Sequence, residues 1–233
     1  MRRNTEFIIG GLTKFSSIDY PNHLSAVIYG QGCPLRCRYC HNTELQEFNK
    51  KLNTNILPVG YVMRWLATRI GLLECVVLSG GEPTAQRSVI PLASDIKKMG
   101  YKIGLHTSGI NPVVLKEFLT SLSWVGLDIK QLFTKYCRIT CVESVKNVKR
   151  SLELIAKSGV DFEIRTTYHP ELISQNDIED MAVMLNAYGV KNWAIQMFRQ
   201  TGCQDTLLRQ AHNTAYPNIK KITQLIPNVF IRE

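Results

Sequence analysis

The sequence predicts an α/β fold, a partial (β/α)6 barrel with parallel strands, and three observations carry that prediction. Short β-branched runs alternate with segments of helical period, six such runs fit into one chain, and chemically distinctive residues follow most of them. A chain of 233 residues can bury a full core. Single α/β barrels commonly run to about 200–250 residues, so length alone fits one domain as well as two, and the unbroken series of strands and helices favours one. It is read as 1–233, with an N-terminal segment at 1–23 leading into the barrel, a barrel core at 24–199 and a C-terminal extension at 200–233.

The strands expected, in order, are Leu24 to Tyr29, Cys75 to Leu78, Lys102 to His106, Trp124 to Ile129, Phe162 to Thr167 and Trp193 to Met197. Between them the apolar spacing turns helical: Val59, Val62, Met63, Leu66 and Ile70; then Val89, Leu92, Ile96 and Met99; then Leu115, Phe118, Leu119 and Leu122. The same period returns in Val145, Val148, Leu152 and Ile155 and in Ile178, Met181, Leu185 and Tyr188, with Gly159 and Gly189 as helix stops. In such a barrel the chemistry sits at the carboxyl ends of the strands. A cysteine cluster follows the first run, Gly80-Gly81-Glu82-Pro83 the second and Thr107-Ser108-Gly109 the third. Asp128-Ile129-Lys130 closes the fourth, Arg165 lies late in the fifth, and Arg199 follows the sixth.

Composition narrows the class. The 28 Lys+Arg against 19 Asp+Glu leave a net charge of +9, but the basic residues are scattered, so a basic surface facing an acidic protein is expected rather than direct nucleic-acid binding. No apolar run approaches the about 20 residues of a membrane span. Met1-Arg2-Arg3 leads into polar Asn4, Thr5 and Glu6 rather than a signal-peptide core, so the expected compartment is the cytoplasm. Seven cysteines without an export signal favour metal binding over a disulfide framework.

Cys33, Cys37 and Cys40 place three thiols on one tight loop, and thiolates at such density select soft metals or an iron–sulfur cluster. A structural zinc wants four closed ligands. His41 adjoins Cys40 too closely to serve the same ion easily, and Cys75, Cys137, Cys141 and Cys203 show no ligand pattern. Cys75, opening an apolar strand, reads as core. Three cysteines fit better a [4Fe–4S] cluster with one iron left open.

Cys33-x3-Cys37-x2-Cys40, with aromatic Tyr39 before the last cysteine, resembles the signature of the radical S-adenosylmethionine superfamily, and Gly80-Gly81-Glu82-Pro83 resembles its second motif. The whole chain resembles the glycyl-radical-enzyme activating branch. Within it, the run Gly11-Leu12-Thr13-Lys14-Phe15-Ser16-Ser17-Ile18-Asp19-Tyr20-Pro21 and Cys40-His41-Asn42 resemble the anaerobic ribonucleoside-triphosphate reductase activating proteins. The resemblance implies that S-adenosylmethionine chelates the open iron and receives one electron, supplied by a flavodoxin- or ferredoxin-type donor. It further implies that a 5′-deoxyadenosyl radical then takes a hydrogen atom from a backbone glycine of the partner enzyme.

That resemblance also implies site roles. Tyr39, Cys40 and His41 lie beside the cofactor; Gly80 and Gly81 let backbone approach its methionyl group, while Glu82 supports the amine at the turn that Pro83 closes. Thr107 and Ser108 offer hydroxyls. Asp128 and Lys130 share a strand face and hold the methionyl end, the competing account being a surface ion pair. Arg165 neutralises the cofactor carboxylate, and Arg199 stands where relatives carry a histidine. Asp19 is placed at the peptide entrance, holding the glycine loop by its backbone amides. Two readings remain beside this one: a radical S-adenosylmethionine enzyme acting on a small molecule such as a deazaguanine precursor, and a non-enzymatic iron–sulfur or zinc redox regulator. A regulator has no need of Gly80-Gly81-Glu82-Pro83 or Asp128-x-Lys130 at strand ends.

Overall fold

In the computed structural model, residues 6–48, 55–211 and 215–233 are described; residues 1–5, which carry the reading against an export leader, lie outside them. Eight strands form one sheet in chain order: β1 (Ile9–Ser16), β2 (Ser25–Gly30), β3 (Cys75–Gly80), β4 (Lys102–Thr107), β5 (Trp124–Asp128), β6 (Asp161–Tyr168), β7 (Asn192–Met197) and β8 (Asn228–Arg232). β1 runs antiparallel to β2, and every later pair is parallel. Among the described residues no pairing joins β8 to β1, so the barrel is open along one side.

The helices are α1 (Val59–Ala67), α2 (Val89–Lys98), α3 (Pro112–Phe118), α4 (Cys137–Thr140), α5 (Val145–Ala156), α6 (Gln175–Ala187) and α7 (Thr206–Gln210). Their starts follow local chemistry. Asn111 caps α3 by accepting from the Val114 N–H with Pro112 in the first turn, and Ser174 opens α6 with a reciprocal capping box to Asp177. Gly159 and Gly189, at φ of 76° and 73°, follow α5 and α6 as left-handed stops. Among the described residues no helix is long and apolar enough to cross a membrane.

Two apolar layers result from strand alternation. On the outer face, Leu66, Ile96, Leu115, Leu152 and Leu185 of the helices bury Ile28, Leu78, Leu105, Val125, Ile164 and Ile195. Inside the barrel Tyr20, Val27, Cys75, Val77 and Trp124 form a smaller apolar cluster, which gives Cys75 its core position. The six parallel strands expected are β2 to β7. β1 and β8 are additions. β1 carries two glycines and an exposed Phe15, and β8 is a five-residue edge strand, so neither shows the apolar run by which a buried strand is recognised. Ile70, grouped by period with α1, lies beyond its end and is exposed.

Candidate active site

The cysteine loop leaves the carboxyl end of β2 and is fixed by backbone. Gly32 N–H donates to Leu45 O (2.8 Å) and Cys33 N–H to Gln46 O (2.9 Å), closing the loop on itself. Arg36 N–H and Arg38 N–H donate to Thr140 O (3.1 Å) and Ile139 O (3.0 Å), fastening it to α4. Cys33, Cys37 and Cys40 are all partly buried. Burial, with Glu82 nearby, pushes the Cys33 thiol up to about 12; burial also raises Cys37, against the opposing pull of Lys130. Burial of this kind favours the neutral thiol, and a bound metal offsets it because its charge replaces the solvation that a thiolate loses.

Among the described residues no three His, Cys, Asp or Glu side chains converge as the shell of a single ion. A four-iron cluster asks for a different arrangement, one thiolate per iron, and three on one anchored loop meet it. Flanking Cys40, the Tyr39 hydroxyl and His41 Nε2 are buried polar atoms without a hydrogen-bond partner among the described residues, as expected beside a bound polar group. The donor set thus fits the cluster.

The second motif is built against this loop. Gly80 has φ +114°, and a Cβ there would collide with the backbone of Gly30; one on Gly81 would collide with the carbonyls of Gly32 and Leu45. The glycines are therefore required first by the packing of two protein loops. Glu82 is 1% exposed. Its Oε1 accepts from Thr84 N–H (3.0 Å), Thr84 Oγ1 (2.6 Å) and Thr107 Oγ1 (2.7 Å), and its Oε2 from Ser108 N–H (2.8 Å) and Ser108 Oγ (2.5 Å). The carboxylate is a brace: it caps the turn at Pro83–Ala85 and draws the end of β4 to the end of β3. The hydroxyl protons of Thr107 and Ser108, offered above to a ligand, go to Glu82.

Asp128 and Lys130 meet at 3.0 Å, with the Lys130 side chain buried and that of Asp128 38% exposed, so the pair is enclosed at its cationic end and open to solvent at its anionic end. The ammonium lies 5.6 Å from the Tyr39 ring centroid. The Tyr136 hydroxyl accepts from Lys130 N–H (3.4 Å) and donates to Asp128 O (3.2 Å). Burial opposes the charge on Lys130, but Asp128 foremost, then Tyr39 and Cys37, hold its pKa well above the usual lysine value. The ion pair, Tyr39 and the cysteine loop thus form one assembly.

Deeper in the barrel lies a group of charges that the sequence only partly foretold. Asp19, on the connection from β1 to β2, accepts from Ser16 Oγ (2.5 Å), and its backbone carbonyl accepts from His106 Nε2 (2.8 Å) and Arg165 (3.4 Å). Arg165 Nε donates to Glu163 (2.8 Å), and its guanidinium lies over Trp124 at 5.0 Å. His106, Glu163 and Arg232 had not been read as site residues. For Glu163 the signal was its alternation with Arg165 on one strand. Burial first, then Arg165, lowers the His106 pKa well below 6.5, which keeps the ring neutral. Alongside, a cavity of about 560 Å³ opens at the barrel base, lined by Tyr20, Trp124, Phe162, Glu163, Phe230 and Arg232 among others.

The remaining predicted residues sit outside this interior. Arg199 is exposed and donates to the Glu233 carbonyl (2.6 Å). His41 lies 5.5 Å from the Phe198 ring, and the segment after β7 covers the cysteine loop: Cys203 is buried with its thiol on Arg38 O (3.4 Å), and Arg38 pairs with Asp205 (2.8 Å).

An open parallel barrel with three thiols on one loop at its strand ends defines the class of iron–sulfur enzymes that act on S-adenosylmethionine by one-electron chemistry. Residues 27–185 match the Radical SAM superfamily, and the chain belongs to that superfamily. A Methanocaldococcus jannaschii protein provisionally named a glycyl-radical enzyme activating enzyme is 30% identical, over 97% of this chain and 95% of its own. A PqqA peptide cyclase of Methylorubrum extorquens is 34% identical over 51% of this chain and 30% of its own. Streptococcus suis SuiB bound to S-adenosylmethionine shares the fold, with a TM-score of 0.63 at 14% identity over 89% of this chain and 50% of that one. The chain thus spans half or less of the length of these last two relatives.

Proposed function

We propose that this chain activates a glycyl-radical enzyme, and that its substrate is a backbone glycine of an anaerobic ribonucleoside-triphosphate reductase. The observation that carries the reading is the unclosed side of the barrel between β1 and β8, with Asp19 on the connection that follows β1. The near full-length likeness to the Methanocaldococcus jannaschii protein supports it.

Cys33, Cys37 and Cys40 would hold a [4Fe–4S] cluster, and Asp128, Lys130 and Arg165 the charged methionyl end of S-adenosylmethionine. When bound, these groups supply one-electron reductive cleavage and hydrogen-atom abstraction. The protein's part is positional. Glu82 keeps the ends of β3 and β4 together beneath the cysteine loop, Tyr39 and Lys130 keep water from its inner side, and Asp19 accepts from backbone amides of the incoming glycine segment. An electron from a flavodoxin- or ferredoxin-type donor and a cytoplasmic setting complete the reading. The +9 charge favours an acidic partner surface and makes encounter salt-sensitive.

The test is anaerobic: reconstituted protein, reduced flavodoxin, S-adenosylmethionine and an anaerobic ribonucleotide reductase are mixed and the reductase is examined by electron paramagnetic resonance. A glycyl-radical doublet on the reductase is expected. Methionine and 5′-deoxyadenosine release without that doublet would overturn the target while leaving the superfamily chemistry intact.

A further inference from the structure

The arginine that the reading above gives to the cofactor carboxylate is not electrostatically free. Arg165 Nε donates to Glu163, a carboxylate that is itself 3% exposed, and such a pair alone would cancel the charge meant for a ligand. A second arginine changes the balance. Arg232, on β8, donates Nη1 to Glu163 Oε1 (2.6 Å) and Nη2 to Oε2 (2.9 Å), a two-pronged contact from a strand that the sequence pattern did not reveal.

Register makes this contact possible. Arg165 pairs with Ala194 of β7, and Ala194 with Phe230 of β8, so at the level of Arg165 the intervening strand puts only a methyl group on the inner face, with Asn192 and Gln196 on that face one step to either side. Gly126 on the other side is equally needed: a Cβ there would come within 2.9 Å of Arg165 Nε. Two guanidiniums thus share one carboxylate, and these three side chains together carry one positive charge.

We propose that Arg232 is a positioning residue that engages Glu163 on both oxygens and so leaves Arg165 with charge and donors for a carboxylate-bearing ligand in the barrel. The inference rests on the reading that Arg165 meets the carboxylate of S-adenosylmethionine. Without Arg232, Glu163 turns wholly to Arg165 and competes with that carboxylate. Without Glu163 as well, Arg165 is released again.

The experiment measures equilibrium binding of S-adenosylmethionine, and of its decarboxylated analogue, to the anaerobically reconstituted protein. Arg232→Gln should weaken S-adenosylmethionine about tenfold, Arg232→Lys less, and neither should change the affinity for the decarboxylated analogue. The double variant Glu163→Gln/Arg232→Gln should return to within about threefold of the parent, a rescue that a merely structural role does not predict. Glu163→Gln alone should bind at least as tightly as the parent, which keeps the test alive if Arg232→Gln does not fold. Equal losses for both ligands, or a double variant no better than Arg232→Gln, would overturn the proposal. If Arg165→Gln binds both ligands as the parent does, the underlying reading fails, and the role of Arg232 with it; if Arg165→Gln loses S-adenosylmethionine but Arg232→Gln does not, only the latter fails.

Discussion

The rim of the barrel and its interior solve the placing of charge in opposite ways. At the rim, Glu82 is surrounded by neutral donors, two backbone N–H groups and three hydroxyls, so one negative charge is held without any cation in contact. In the interior, Glu163 is held by two guanidiniums, and the contacts join β6 to β8 and to the connection after β1. The difference teaches what each region can do. A brace of fixed dipoles is rigid and indifferent to neighbouring charge, whereas a shared carboxylate redistributes when an anion arrives.

The sharpest way to break this contrast is at the cysteine loop. Cys37→Ser should abolish cluster assembly, read as iron content and visible absorbance after anaerobic reconstitution, while alanine at exposed Cys137 or Cys141 should leave both unchanged. Retained iron and activity in Cys37→Ser would remove the loop from the chemistry. Next in size, Glu82→Ala strands three buried side-chain partners and should lower unfolding free energy by about 3 kcal/mol in denaturant titration. Glu82→Gln, which keeps an acceptor, should lose less. If the two cost the same, the charge and not the donor set is what matters at the rim.

Interior substitutions should act on function before stability. Asp19→Ala is expected to reduce glycyl-radical formation at least about tenfold, the loss of one charge-assisted contact, while S-adenosylmethionine cleavage continues. Parallel loss of both would assign Asp19 to the fold or the cofactor. The smallest effect concerns pH. His106 is held neutral by burial and Arg165, so its folded pKa lies below the 6.5 of the unfolded chain. As pH falls through 6.5 the unfolded state takes up a proton that the fold refuses, and stability declines; above 6.5 the residue contributes no pH dependence. His106→Gln should flatten that acid limb in melting temperature against pH.

By itself the sequence determined the six parallel strands, the outer helical layer and the thiol loop, because each is local: strand alternation, helical period and three cysteines within eight residues are properties of short windows. It also paired Asp128 with Lys130 by alternation, and the two do meet, although β5 ends at Asp128 and Lys130 lies beyond the strand. Only the tertiary structure decided that Gly80 and Gly81 serve loop-to-loop packing, that the Thr107 and Ser108 hydroxyls belong to Glu82, and that Arg199 stands outside the barrel. It alone joined Asp19, His106, Glu163, Arg165 and Arg232. Those residues come from three strands and a connection, and the physical reason is that charge pairing through a barrel interior depends on closure and register, which no window of sequence contains.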